Sequence, residues 1–410
     1  MPEKAPAPLR VLLLDGDTRQ AIPVAKALRA AGHHVAVAVS QRISMGGWSR
    51  YPHERLSVPA LPSHGADAVR APAERAWLDA VLAILRRRRF DVTIPLFDTS
   101  AALVSRHLDA FQAETRVPLV AWDRFVHAHD KHLTMQACAR AGVPHPRTLC
   151  PHERGVEEVV AEADAVLGWP CLWKPDIGHG AAGIRKVHSP QEALALYPQL
   201  VAEFGPCALQ EFVPQTGMQF KAQLFRGRDR VIHGAVVFDK VRYYPISGGT
   251  SSLNTTVDRP DIVEICRRLL DAIDWESHAD IDLIEDPRDG SVKVMEINPR
   301  VTGSIKIAFE AGVDFADLLL RHALGEPLPA PHAYRVGVQM RYMPLDVLWF
   351  LSSPGRLRAE PSFFRFIGRD LCYQEGSLDD PLPALAAWAS GAEKWLDPEF
   401  RRRKLGARPR

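Results

Sequence analysis

Lys174-Pro175-Asp176-Ile177-Gly178-His179-Gly180-Ala181-Ala182-Gly183-Ile184 is the stretch that separates the competing folds. It contains a G-x-G-x-x-G pattern, which in a dinucleotide-binding fold is followed at once by a helix whose amides face the phosphates. Here strand-like residues 184–187 come next, and a helix signal begins only at Ser189, in a Ser-Pro-Gln-Glu capping box. No Gly-Lys-Ser/Thr follows either, as a Walker A loop would need. The pattern predicts a glycine flap between two antiparallel strands, of the kind that closes over phosphates, with a plain surface hairpin as the alternative.

A second informative region is the strand pair Asp282-Leu283-Ile284-Glu285 and Met295-Glu296-Ile297-Asn298-Pro299-Arg300. Side chains two apart on a strand share a face, so Glu296 and Asn298 point the same way, and Asp282 can face them from the other arm. Two carboxylates and an amide oxygen suit a Mg²⁺ ion held through substrate phosphates. The alternative is an exposed polar face with a structural ion pair. The apolar neighbours favour buried strands, where unpaired carboxylates are costly.

A third polar segment is Lys240-Val241-Arg242-Tyr243-Tyr244-Pro245-Ile246-Ser247-Gly248-Gly249-Thr250-Ser251. Lys240 and Arg242 alternate onto one face, and the Gly-Gly-Thr-Ser loop offers amides and hydroxyls; a plain loop is the alternative. Four histidines also lie near one another in the sequence, at positions 127, 129, 132 and 145. Their spacing matches no metal template, so we expect ordinary surface or helix-end histidines.

The first 117 residues alternate between strand and helix patterns. Strands are predicted at 9–14, 35–39 and 92–96, and helices at 18–31, 73–89 and 99–112. This alternation predicts an α/β domain with a mostly parallel sheet. The loop Asp15-Gly16-Asp17 lacks the glycine fingerprint of a dinucleotide site, which weakens a nicotinamide oxidoreductase as an interpretation.

The middle of the chain has a different order of predicted strands and helices. After a helix at 131–141, strands are predicted at 170–174, 184–187, 208–213, 219–225, 230–238, 280–284 and 292–297. Short turns at 226–229 and 286–290 indicate antiparallel pairing, so this part is expected to be α+β. A further strand is predicted at 335–341, before a Pro- and charge-rich end.

The composition limits the functional classes. With 410 residues the chain should form two to three domains, and its 46% apolar and 24% charged residues are typical of a globular protein. The formal net charge of +2 is too small to attract nucleic acid or an anionic membrane through the overall electrostatic field of the protein. The start lacks a secretory signal, and no long apolar span is present. Six scattered cysteines favour reduced thiols, so we expect a cytoplasmic protein.

Taken in order, these motifs resemble the ATP-grasp superfamily. Four matches carry the resemblance: Lys131 opening a helix that ends at Gly142-Val143-Pro144, Lys174 with its flap, Gln210-Glu211-Phe212-Val213, and Glu296-Ile297-Asn298-Pro299-Arg300. The layout is most similar to the carbamoyl-phosphate-synthetase-like and amino-acid ligase branch, and the likeness covers roughly residues 10–325. It implies an N-terminal α/β domain at 1–117 and an α+β ATP-grasp domain at 118–325. A lid at about 147–212 and a C-terminal extension at 326–410 complete the expected architecture.

The resemblance also implies roles for individual residues. Lys131 and Lys174 match the lysines that contact the nucleotide phosphates, and the flap contributes Gly178, His179, Gly180 and Gly183. Glu211, Phe212 and Val213 match the adenine-reading linker, and Gln219 stands where many members place an acidic residue for the ribose. Asp282, Glu296 and Asn298 match the ligands of Mg²⁺ or Mn²⁺. Arg300 matches the catalytic arginine, Lys240 and Arg242 are further catalytic candidates, and Gly248, Gly249, Thr250 and Ser251 are candidate substrate contacts.

The implied reaction is ATP-dependent ligation. A carboxylate attacks the γ-phosphoryl group, ADP leaves, and an amine then displaces phosphate from the acyl phosphate. The expected partners are small-molecule carboxylates and amines that resemble amino acids, with neither nucleic acid nor membrane; a homodimer is left open. The alternatives are a kinase with a stable phosphorylated product and a non-catalytic nucleotide-binding module.

Overall fold

A computed structural model of the chain describes residues 7–62, 67–178, 183–246 and 249–396. The described residues form three β-sheets with helices packed against them. Among the described helices, none has the length and apolar character needed to cross a membrane.

The first sheet is parallel and has the strand order β3-β2-β1-β4. Its elements are β1 (Arg10–Leu13), α1 (Ala21–Ala30), β2 (His34–Val39), α2 (Met45–Trp48), β3 (Glu54–Ser57), α3 (Asp67–Arg88), β4 (Val92–Ile94), α4 (Asp98–Arg106) and α5 (Leu108–Gln112). The prediction of a parallel sheet is confirmed. The single helix predicted at 99–112 is instead two, which meet at His107. β3 was missed because only Leu56 of its four residues is buried, so it lacks an apolar run.

The second sheet is antiparallel and has the order β5-β8-β6-β7. Helices α6 (Trp122–His129) and α7 (Lys131–Arg140) precede it; its own elements are β5 (Thr148–Leu149), α8 (Pro151–Arg154), α9 (Val156–Val166), β6 (Cys171–Pro175), β7 (Arg185–Val187), α10 (Pro190–Phe204) and β8 (Cys207–Glu211). β6 and β7 flank the glycine stretch and pair antiparallel, as predicted. Helix α10 begins after Ser189, whose hydroxyl accepts a hydrogen bond from the Glu192 amide at 3.2 Å.

The third sheet has seven strands in the order β13-β12-β9-β10-β11-β14-β15, antiparallel except for the last pair. Its elements are β9 (Gln219–Arg226), β10 (Ile232–Tyr244), β11 (Thr250–Thr256), α11 (Pro260–Ala272), β12 (Ser277–Glu285), β13 (Val292–Asn298), α12 (Lys306–Ala311), α13 (Phe315–Leu324), β14 (Gln339–Arg341), α14 (Met343–Ser352), β15 (Leu371–Tyr373) and α15 (Leu382–Leu396). The strand predicted at 335–341 is shorter, because Gly337 has a φ of +84° and interrupts it.

The first and third sheets share a hydrophobic core. One apolar cluster contains Val11 and Val37 of the first sheet, Phe238 of the third sheet, and Leu319 of α13. A second cluster packs α6, α7 and α11 against the third sheet. The third sheet therefore lies between two apolar layers, and polar side chains on it need partners of their own.

Within this core, His278 on β12 is expected to make the fold sensitive to acid. Burial lowers the pKa of the ring to about 4 from 6.5, although Asp280 acts in the opposite direction. The folded chain binds the His278 proton more weakly than the unfolded chain does. The neutral ring therefore contributes stability that is complete above pH 6.5 and is lost as the pH falls toward 4. We expect the free energy of unfolding to decrease by ~2 kcal/mol from this group between pH 7 and pH 5.

Urea titrations at the two pH values test this expectation. The variant His278→Leu, which cannot titrate, should lose clearly less stability between pH 7 and pH 5 than the unmodified chain. The same substitution at exposed His188 serves as the control and should leave the pH dependence as it was. An unchanged pH dependence in His278→Leu would show that the ring is not the acid-sensitive group.

Candidate active site

The candidate metal ligands lie on two neighbouring strands. Asp282 on β12 is directly opposite Glu296 on β13, and Asp280 is opposite Asn298. Residues opposite one another in a ladder point to the same face, so all four side chains share one side of the sheet. Lys221 on β9 is opposite Asp282 and extends this polar surface.

Asp282 is neutralised by two lysines. The Lys240 ammonium lies 2.5 Å from Oδ1 of Asp282, and the Lys221 ammonium lies 3.2 Å from Oδ2. The Asn298 amide also donates a hydrogen bond to Oδ2 at 3.1 Å. Burial alone would raise the pKa of Asp282, but the two positive charges outweigh it and hold the pKa well below the usual range. Asp282 is therefore an anion in the folded chain.

Asp280 is a site residue that the sequence interpretation missed. It has no solvent exposure and accepts hydrogen bonds from Lys221, from Gln223 at 3.1 Å, and from Thr302 at 2.5 Å. These bonds fix the Lys221 ammonium next to Asp282. The available signal was the spacing, since Asp280 and Asp282 are two apart on one strand.

The two predicted phosphate-binding lysines converge with Glu296. The Lys131 ammonium lies 3.7 Å from Oε2 of Glu296 and donates to the Gly178 carbonyl at 2.5 Å. The backbone amide of Lys131 donates to the Asp176 carbonyl at 2.8 Å, which ties α7 to the end of β6. Lys174 is buried, and burial lowers its pKa to about 8; Glu296 opposes this shift and Lys131 adds to it. The flap, α7 and β13 thus meet at one point.

Arg300 is anchored by the first residue of helix α4, which packs with the N-terminal part of the chain. Its Nε and Nη2 donate to the two carboxylate oxygens of Asp98 at 2.9 and 2.5 Å, and Nη2 lies 3.3 Å from Oδ1 of Asn298. Burial would lower the pKa of Arg300, but the charge of Asp98 raises it. Asp98 begins α4 and was not a predicted site residue, because 202 positions separate it from Arg300.

Glu211 lies in a network of ion pairs at the end of β8. Its carboxylate accepts a hydrogen bond from the Arg147 amide at 3.1 Å and from Nη2 of Arg288 at 2.5 Å, and it lies 3.8 Å from the Lys293 ammonium. Burial opposes ionisation, but these donors lower the pKa of Glu211. The Glu211 side chain is therefore engaged by neighbouring donors, and its backbone amide donates to the Arg147 carbonyl at 2.9 Å.

The neighbouring linker residues have distinct surroundings. The Lys186 ammonium lies 4.2 Å from the centre of the Phe212 ring, and Val213 is buried. Gln219 donates a hydrogen bond to the Gln215 side chain at 3.1 Å. The three residues follow β8 or begin β9, at the junction of the second and third sheets.

The described part of the flap shows why its last glycine is required. Gly183 has a φ of +76°, and a Cβ atom there would lie 2.5 Å from Cγ of Pro175. A larger residue would therefore disturb the β6–β7 hairpin. His179 and Gly180 lie outside the described residues, whereas Gly178 is the carbonyl partner of Lys131.

The second half of the segment predicted as a Gly-Gly-Thr-Ser loop belongs to a strand. Thr250 and Ser251 begin β11 and pair with Tyr244 and Tyr243 of β10. A Cβ atom at Gly249 would lie 2.2 Å from the Tyr244 carbonyl, so this position needs glycine for the close approach. Gly248 lies outside the described residues.

The expectation that Lys240 and Arg242 share one face is wrong. The β10–β11 register shifts between these two residues, so Lys240 points to Asp282 whereas Arg242 lies in a separate buried site. There the Arg242 guanidinium pairs with Asp346 at 3.2 Å, donates to the Pro361 carbonyl and lies 4.4 Å from the centre of the Trp349 ring. The structure therefore places Arg242 in a contact with the C-terminal part of the chain.

The donor set fits a hard divalent cation. Asp282, Glu296 and Asn298 present carboxylate and amide oxygens from adjacent strands, and Glu296 is 36% exposed with Lys131 as its ion-pair partner at 3.7 Å. Oxygen donors of this kind, completed by phosphate and water, suit Mg²⁺.

Comparisons with known proteins concern the family and the fold. A sequence profile of the family described as "ATP-grasp in the biosynthetic pathway with Ter operon" matches residues 233–344. The arginine-specific large chain of carbamoyl phosphate synthase from Geobacillus stearothermophilus is 25% identical over 265 residues, which cover 62% of this chain and 24% of that protein. D-alanine–D-alanine ligase from Pseudomonas entomophila is 27% identical over 209 residues, which cover 47% of this chain and 63% of that protein. The matches thus span less than two thirds of either relative.

Among solved structures, a βγ-ATP complex of biotin carboxylase from Campylobacter jejuni superposes with a TM-score of 0.66. The sequence identity is 15%, and the match covers 81% of this chain and 74% of that one. This likeness concerns the fold, and it agrees with the parallel, antiparallel and mixed sheets described above. The chain belongs to the ATP-grasp superfamily.

Proposed function

We propose that this protein is an ATP-dependent, ADP-forming ligase that activates a carboxylate as an acyl phosphate and couples it to an amine of an amino-acid-like substrate. The observation that carries the proposal is the convergence of Lys131, Lys174 and Glu296 beside the Asp282–Asn298 surface. The named relatives that join amino acids or form carbamoyl phosphate support the reaction class. The division into 1–117, 118–325 and 326–410, with a lid at 147–212, is part of the same proposal.

The positive side chains bind and orient the phosphates. The Lys131 ammonium donates to the Gly178 carbonyl at the start of the flap, and Lys174 remains mostly protonated at neutral pH because its pKa is about 8. Arg300, held by Asp98, presents a planar guanidinium to a phosphoryl or carboxylate oxygen. Such fixed charges stabilise the negative charge that develops as the phosphoryl group is transferred.

Asp282, Glu296 and Asn298 would hold Mg²⁺ or Mn²⁺, which neutralises phosphate charge when bound. In the structure, the ammonium groups of Lys221 and Lys240 balance the negative charge of Asp282. When closed over the phosphates, the flap that joins β6 and β7 would limit hydrolysis of the acyl phosphate by water.

The experiment is a screen of amino acid pairs in which ADP release is measured with each member alone and with both together. A ligase gives ADP and phosphate, requires both members, and yields a condensation product visible by mass spectrometry. Added hydroxylamine should trap the acyl phosphate of the first substrate as a hydroxamate. AMP and pyrophosphate as products would refute the proposal, and a stable phosphorylated product from one substrate would identify a kinase.

A further inference from the structure

Three metal-ligating side chains lie together outside the ATP site. His132, Cys150 and His152 each offer a ligand atom, and these atoms all lie within 4.8 Å of one another. The Cys150 sulfur is 3.0 Å from Nδ1 and 3.3 Å from Nε2 of His152, and the two imidazole rings meet edge to face with 5.2 Å between their centres. A carboxylate is also close, since Oδ2 of Asp176 lies 3.6 Å from Nδ1 of His152.

The ligand chemistry points to a transition metal. A thiolate and two imidazoles are the donors that Zn²⁺ prefers, and a carboxylate commonly completes its four-coordinate sites. With metal–ligand bonds of 2.0–2.3 Å, tetrahedral geometry places ligand atoms about 3.5 Å apart. The spacing of sulfur, imidazole nitrogen and carboxylate oxygen in this cluster is close to that value.

Outer partners and burial also suit a metal site. Gln136 lies 2.9 Å from Nε2 of His132. With its amide oxygen turned toward that nitrogen, Gln136 accepts the Nε2–H and leaves Nδ1 of His132 to bind the ion. Cys150 and His132 are only 2% and 6% exposed, whereas the His152 side chain is 42% exposed and gives the ion a route of entry.

The cluster connects segments that carry the phosphate-binding lysines. His132 follows Lys131 in the first turn of α7, and Asp176 lies two residues after Lys174. Cys150 and His152 lie at the start of α8. We propose that His132, Cys150 and His152 form a Zn²⁺ site, with Asp176 as fourth ligand, that holds α7, α8 and the end of β6 together.

A Co²⁺ titration of the full chain, after treatment with a chelator, tests the site directly. Thiolate ligation gives a charge-transfer band in the near ultraviolet, and tetrahedral Co²⁺ gives intense visible bands. One Co²⁺ per chain should produce both signals, and Zn²⁺ should displace it. The oxygen donors of the ATP site cannot give the thiolate band, so the result is independent of the proposed ligase activity.

Two variants identify the ligands. Cys150→Ser should abolish the charge-transfer band, and His152→Ala should weaken Co²⁺ binding by at least ~100-fold, beyond the effect of losing an outer partner. His152 is largely exposed, so its removal should leave the fold intact, which circular dichroism checks. Cys372→Ser and His188→Ala are the matched controls and should bind Co²⁺ like the unmodified chain. Absence of a saturable band in the unmodified chain, or its persistence in Cys150→Ser, would overturn the proposal.

Discussion

Glu296→Gln is expected to lower ATP turnover by about 10²–10³-fold. The substitution keeps the size of the side chain but removes the negative charge that would balance a divalent cation. Since Glu296 is 36% exposed and glutamine has the same size, the change removes no core packing, although buried Lys174 loses the negative charge that opposes its pKa shift. The fold should therefore be preserved, so the loss can be assigned to the site.

Two measurements check this prediction. ADP release is followed at saturating ATP and Mg²⁺ with an active substrate pair, and Mn²⁺ binding with an unreactive ATP analogue is followed by electron paramagnetic resonance. Both should fall in Glu296→Gln. The control Glu264→Gln, at a surface residue of α11 that pairs with Arg267, should leave both unchanged. Turnover within a factor of two of the unmodified chain would refute the assignment of Glu296 as a metal ligand.

The largest stability effect is expected at Asp346, in α14. Asp346 has no solvent exposure and accepts hydrogen bonds from Arg341 at 2.5 Å, Arg242 at 3.2 Å and Ser252 at 3.0 Å. Asp346→Ala would leave two buried guanidinium groups without their carboxylate. Breaking a buried pair in this way costs about 3–5 kcal/mol in the free energy of unfolding.

Urea unfolding followed by tryptophan fluorescence measures this loss, because Trp349 packs against Arg242. The matched control is Asp317→Ala on α13, which removes an exposed pair with Arg321. Exposed pairs of this kind contribute about 0.2–1 kcal/mol. Similar losses in the two variants would show that the buried cluster is not what holds the C-terminal part to the third sheet.

The sequence predicted the parts of the fold that have strong local signals. Local signals predict four of these elements without knowledge of the elements they pack against. They are the apolar runs of β1, β2 and β6 and the capping box of α10. β11 was missed because its pattern is polar. It is a strand because β10 and β14 provide hydrogen-bonding partners on both sides. Strand formation there depends on tertiary context, which a local pattern does not contain.

The candidate active site also has features that the sequence predicts and features that only the fold determines. The spacing of Glu296 and Asn298 correctly predicted a shared face, because strand geometry fixes it. The roles assigned to the individual residues stay predictions. The register shift after Lys240 could not be read from the sequence, nor could the pairing of Arg300 with Asp98. The group formed by His132, Cys150 and His152 depends on the contact between α7 and α8 in the fold, which the spacing of histidines in the sequence does not contain.

The last part of the chain returns to the first sheet. The Asp380 carboxylate accepts a hydrogen bond from the Ser49 hydroxyl at 2.6 Å, and Asp379 accepts one from the Tyr51 hydroxyl at 2.5 Å. Ser49 and Asp380 are 331 positions apart. At a synthesis rate of 5–20 residues per second, roughly 17–66 s pass between the synthesis of Ser49 and the synthesis of its partner Asp380. The N-terminal sheet therefore spends that interval without the hydrogen bonds that Asp379 and Asp380 provide to this loop.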